Sequence, residues 1–126
     1  MSFKIQTITG SGGSSSTPYA YFQIAPSAAA GTFFAYAYGN NIQCYTSGYV
    51  GISGSPQIKS ICWGGTNGNP NYANLYKSQS GSTSGNTYLV INCTGAYYCT
   101  ITFSASGTNQ FQGTFAGWSS STNSVP

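Results

Sequence analysis

Short runs of β-branched and aromatic residues alternate with clusters of Gly, Pro, Asn and Ser along the whole chain, and no segment carries a helical period. That pattern predicts strands separated by turns. Phe3 to Thr9, Tyr19 to Ala25 and Thr32 to Tyr38 read as strands. Gly39-Asn40-Asn41 is a turn signal joining Thr32–Tyr38 to a partner over Ile42 to Ser47. Gly48, Gly51 and Gly54 predict a bulged or bent stretch around Tyr49 to Ile52. Gln57 to Trp63, Thr87 to Cys93, Cys99 to Ser104 and Gln110 to Phe115 complete the set, and Tyr72 to Lys77 reads as a short strand or a helical turn. Eight to ten short strands without repeats predict an all-β fold, a β-sandwich or jelly roll.

The spacing of the breakers divides the chain unevenly. Gly10 to Thr17 (GSGGSSST) has the composition of a flexible linker. It sets a separate N-terminal strand, residues 1–9, apart from a body over 18–118, and residues 119–126 read as a mobile tail. A strand on such a linker can pair within its own domain or leave and complete a neighbour's sheet by β-strand addition. In this organisation, over residues 2–18 and the all-β body, the chain resembles donor-strand-complemented pilins and related extracellular filament subunits. The resemblance implies that Phe3, Lys4, Ile5, Gln6, Thr7, Ile8 and Thr9 form the subunit-coupling strand. Phe3 and Ile5 would then be its inward anchors, with Lys4 and Gln6 outward and Ile8 breaking the alternation.

Composition changes the functional picture more than the fold. The 126 residues include no Asp, Glu, His or Arg, so Lys4, Lys59 and Lys77 are the only charged side chains. Paired carboxylates, imidazole bases and carboxylate metal cages are therefore unavailable, and we expect neither an enzyme nor a cofactor. A charge of +3 spread over three lysines is too sparse to track a phosphate backbone, so no nucleic-acid partner is expected. No 18-residue apolar run predicts a membrane span. With 11 Tyr, 7 Phe and 2 Trp against 14 Ile, Leu and Val together, the core is expected to be aromatic.

Cys44, Cys62, Cys93 and Cys99 are an even count in a small Gly/Ser/Thr-rich chain, which predicts two disulfides and an extracellular or cell-surface location. The expected pairs are Cys93–Cys99, across a hairpin loop of five residues, and Cys44–Cys62. Because Met-Ser-Phe-Lys-Ile-Gln lacks the apolar stretch of a signal peptide, a leader preceding this numbering is expected. Trp63, Asn67, Asn69 and Tyr72 place two aromatics at the ends of an amide-rich loop, a combination able to stack on and hydrogen-bond a glycan. Asn92-Cys93-Thr94 matches the N-glycosylation acceptor pattern at Asn92. Thr7-Ile8-Thr9 and Thr100-Ile101-Thr102 repeat a Thr-x-Thr pattern in only two copies.

Three functions are left open. The first is a structural subunit of an extracellular filament, pilus or coat, whose partners are copies of itself joined head to tail. The second is a secreted carbohydrate-binding module with surface glycans as partners. The third is a viral coat protein of jelly-roll type.

Overall fold

The computed structural model describes residues 3–25, 30–39, 42–51, 57–65, 73–77, 87–93, 95–106, 112–122 and 126. Within them lie nine strands: β1 (Phe3–Ser11), β2 (Tyr19–Ala25), β3 (Ala30–Gly39), β4 (Ile42–Gly51), β5 (Gln57–Gly65), β6 (Ala73–Lys77), β7 (Thr87–Asn92), β8 (Tyr98–Ser106) and β9 (Gln112–Ser119). No helix occurs among the described residues. The strands form two antiparallel sheets, β1-β8-β3-β4-β5 and β6-β7-β2-β9, stacked as a sandwich. The all-β sandwich expected from the alternation is therefore the observed fold.

Each predicted strand is present, several with wider bounds. Gly39 pairs with Ile42, so β3 and β4 form a tight hairpin. The glycine-interrupted stretch continues β4 as far as Gly51, with its irregularity against β5 between Ser47 and Gly48. The ambiguous segment ending at Lys77 is strand β6.

Period-two alternation builds the core. Ala20, Phe22 and Ile24 of β2 and Leu89 and Ile91 of β7 face Phe33, Ala35 and Ala37 of β3 and Cys99, Ile101 and Phe103 of β8, all buried. Ile8, Phe115 and Trp118 pack against this cluster from the side where the two sheets meet. The four-stranded sheet is also covered on its other face, where Tyr21, Tyr88 and Val90 are buried. The C-terminal segment contributes there: the Tyr21 hydroxyl donates to the Ser121 carbonyl at 2.6 Å, and Ser119 is buried. Where a mobile tail is expected over 119–126, these described residues are packed. A bulge in β9 makes room, because Tyr21 pairs with Gly117 and Phe22 with Phe115, and Gly117 takes a φ of 124° that favours glycine.

The segment predicted as a flexible linker is held at both ends. Gly10 and Ser11 belong to β1, and the amides of Gly12 and Gly13 both donate to the Tyr97 carbonyl, at 3.0 and 3.1 Å. Ser14 to Thr17 form a closed turn, with the Thr17 amide donating to the Ser14 carbonyl at 3.3 Å and the two hydroxyls 2.8 Å apart. Glycine is used here for close approach. A Cβ on Gly10 would enter the Phe115 ring, and one on Gly13 would meet the Ala96 carbonyl and the Trp118 ring.

Two expectations about the chain's course are corrected. The Cys93 to Cys99 connection is not a hairpin, since β7 and β8 lie in different sheets. Strand β1 also has the opposite facing to that implied by the filament resemblance. Ile5 is 61% exposed, while Gln6, Ile8 and Gly10 turn towards the sandwich. Ile8 thus sets the inward parity of this strand. The side chains of Phe3 and Lys4 lie outside the described residues.

Candidate interaction face

The chemistry-bearing feature of the fold is the outer face of the five-stranded sheet. Inward positions on β3 are Phe33, Ala35 and Ala37, so the alternation turns Thr32, Phe34, Tyr36 and Tyr38 outward. Register then aligns whole rows: Tyr36 lies between Thr100 and Tyr45, Phe34 between Thr102 and Ser47, and Tyr38 between Tyr98 and Gln43. Strand β1 extends the rows with Thr9 opposite Thr100 and Thr7 opposite Thr102.

The face has an aromatic half and a hydroxyl half. On β3, β4 and β8 the rings stack across strands: Phe34 on Tyr45 with centroids 6.1 Å apart and planes at 15°, Tyr38 on Tyr98 at 5.0 Å and 19°. Tyr36 leans on Tyr38 at 5.4 Å. Along β1 and β8 the hydroxyls pair instead, Thr7 with Thr102 at 3.1 Å and Thr9 with Thr100 at 2.8 Å, and Thr32 meets Ser104 at 2.7 Å on the β3 side. Pairing across the ladder satisfies one bond of each hydroxyl and leaves the other sites to solvent or a partner. Ile5, Phe34, Tyr45, Tyr49 and Tyr98, five of the six exposed large apolar residues described, lie on this one face. Its described side chains carry no charge.

At the side of the sandwich, β1 is fastened to β9. The Gln6 amide bonds Gly113 twice, accepting from the Gly113 amide at 2.9 Å and donating to its carbonyl at 3.2 Å. Further along, the Trp118 indole donates to the Ser11 carbonyl at 2.9 Å. Gln6, expected to point outward from a donated strand, instead takes the place of a neighbouring strand's peptide group.

The cysteines do not sit as expected. Cys62 pairs with Ser47, three residues along from the Gly65 that faces Cys44. At roughly 3.3 Å per residue the Cys44 and Cys62 backbones are about 10 Å apart, beyond the reach of a disulfide. The Cys44–Cys62 pairing is thus corrected. Cys44, Cys93 and Cys99 are buried together as thiols. Cys44 donates to the Ala37 carbonyl at 3.6 Å and Cys93 to the Ile91 carbonyl at 3.5 Å. Burial, then contact with Cys99 and the charges of Cys99 and Cys44, push the Cys93 thiol well above the usual cysteine range. No group of three or more His, Cys, Asp or Glu side chains among the described residues is placed to hold a metal ion.

Of the glycan-loop candidates, Trp63 lies in β5 opposite Thr46, with its side chain outside the described residues. Asn67, Asn69 and Tyr72 also lie outside them. Asn92 ends β7, half-buried and paired with Tyr19, rather than in the exposed loop an acceptor site favours. An outer aromatic face is not what a rule placing aromatics in the core predicts. Its signal was present in Phe34-Ala35-Tyr36-Ala37-Tyr38, where the small residue marks the buried parity.

Compared with known protein families, curated proteins and solved structures, the chain matches none. No helix among the described residues is long and apolar enough to cross a membrane.

Proposed function

We propose that this protein is a non-catalytic structural subunit that assembles with copies of itself through the outer face of the five-stranded sheet. The observation that carries the reading is the gathering of Ile5, Phe34, Tyr45, Tyr49 and Tyr98 on one face, whose described side chains are uncharged and whose register brings one lysine, Lys59 of β5, opposite Tyr49. Isolated exposed hydrophobes are ordinary, whereas a contiguous patch marks an interaction site. Five strands about 4.8 Å apart and about 30 Å long present roughly 700 Å² per copy, near the 800 Å² per partner of a stable interface. Hydroxyl groups donate and accept equally, so a Thr-rich half can meet itself without charge complementarity. An extracellular setting belongs to the same proposal.

Donation of β1, the route suggested by the filament resemblance, asks more of the chain. Leaving would break the ladder from Phe3 to Ser11, the Gln6 clamp and the Trp118 bond. Face-to-face association leaves all of them intact. The test is light scattering after size exclusion, with electron microscopy of the same fractions, on wild type and on Phe34→Lys/Tyr45→Lys. Wild type should assemble and the double variant should run as a monomer with its β signal kept. Assembly that survives both lysines refutes the face as the contact.

A glycan-binding reading draws on the same aromatics and hydroxyls. It ranks lower because Phe34, Tyr45, Tyr38 and Tyr98 stack on one another, covering ring faces that a sugar would need. Binding of monomeric protein to a glycan array would reverse that order.

A further inference from the structure

Cys93, Cys99 and Cys44 meet in the core from three different strands or their ends. Cys99 and Cys44 both flank Ala37, one on each neighbouring strand. They are thus two strand spacings apart, roughly 10 Å, and cannot bond to each other. Cys93 comes from the opposite sheet, is buried in the same cluster, and has the Cys99 thiol as a side-chain hydrogen-bond partner.

The described backbone between them is hydrogen-bonded at several points. The Cys93 amide donates to the Pro18 carbonyl at 2.7 Å, and the Ala96 amide returns to the Cys93 carbonyl at 2.9 Å. Gly95 takes a φ of 86°, the Tyr97 amide donates to Tyr38, and the Tyr97 carbonyl holds Gly12 and Gly13. The described backbone beside the two cysteines is therefore held, and bond formation asks that the two neighbouring sulfurs close to about 2.0 Å.

We propose that in the oxidised protein Cys93 and Cys99 form the one disulfide of this cluster, a bond between the two sheets through the core, and that Cys44 stays a thiol. The step is an exchange with a small-molecule disulfide such as oxidised glutathione. The two thiols lose two protons and two electrons, and the oxidant leaves as two thiols. Because thiolates are the reactive form and burial disfavours them, exchange takes place while the chain folds or while the 93–98 turn opens. The inference does not depend on how copies of the protein assemble.

The full chain is refolded in oxidised and in reduced glutathione, unfolded in an alkylating reagent, weighed intact and mapped with chymotrypsin, which cuts after Tyr97 and Tyr98 and so separates the two cysteines. After oxidised refolding, two of the four thiols should resist alkylation, and a single linked pair of peptides should carry Cys93 and Cys99. Reduced refolding should leave all four modified. Cys44→Ala should keep the linkage and Cys99→Ala should abolish it. Should Cys99→Ala fail to fold, the wild-type map decides alone. Four modified thiols after oxidation, or any linked peptide holding Cys44 or Cys62, overturns the proposal.

Discussion

Replacing Gln6 by Ala would remove a side chain that does the work of a strand. Its amide makes both bonds to buried Gly113, at 2.9 and 3.2 Å, where the edge of one sheet meets the edge of the other. Each such bond contributes about 1 kcal/mol net, and leaving the Gly113 amide and carbonyl without partners adds about 1–3 kcal/mol. A loss of roughly 3–5 kcal/mol lowers the melting temperature of a domain this size by about 10–20 °C. The charge-changing variant Gln6→Glu sharpens the test. Its ionised carboxylate can accept from the Gly113 amide but sets oxygen against the Gly113 carbonyl, whereas the protonated form can also donate. The introduced carboxyl therefore has a folded pKa raised above its unfolded value of about 4.3. Its stabilising contribution is complete below that unfolded value and is lost as pH rises through the folded one. Melting curves from pH 3 to pH 8, read by circular dichroism, should show the variant falling with pH while wild type stays level. An Ala variant within 2 °C of wild type, or a Glu variant that does not respond to pH, would show that the clamp does not hold the sheets together.

Wild type itself has no carboxylate or imidazole side chain, so its melting temperature should vary by less than about 10 °C between about pH 2 and pH 7; a larger drop on titration would reveal a titrating contributor from elsewhere. Gly13→Ala forces a Cβ onto the Ala96 carbonyl and the Trp118 ring, and should lower the urea midpoint by the equivalent of about 1–3 kcal/mol. Tyr21→Phe deletes the bond to the Ser121 carbonyl; we expect a loss of about 1 kcal/mol and faster hydrogen exchange confined to residues 119–122.

The strands were legible because they are written locally. A run such as Tyr19 to Ala25, closed by Pro26, carries its own start, stop and alternation. Sheet membership is not local: nothing in Thr94 to Tyr98 distinguishes a hairpin loop from a crossing between layers, and the crossing removed the expected strand adjacency of Cys93 and Cys99. The facing of β1 is not local either: Phe3 and Ile5 are the apolar choice for inward anchors, but Gln6 turns inward because Gly113 supplies both its partners. Gly10 to Thr17 shows a third limit. Glycines chosen for close approach to Phe115 and Ala96 have the same composition as glycines chosen for flexibility. The outer face was hidden by a rule that holds on average, that aromatics go inside, in a chain with too many aromatics for its interior.

The pairing of the first strand with the eighth has a kinetic consequence. Thr7 and Thr102 are hydrogen-bonded neighbours separated by 95 residues of chain, and Gln6 finds Gly113 across 107. During synthesis, Phe3 to Ser11 emerges long before β8 and β9 exist, so β1 waits for both before it can be seated. Closing loops of that length before any contact rewards them makes folding slow. Throughout that interval the strand is unpaired on every growing chain, and once β8 and β9 are made the site it will fill stays open until it docks. Exchange between chains, which the finished sandwich resists, is cheapest then, and the concentration of nascent copies sets how often it happens.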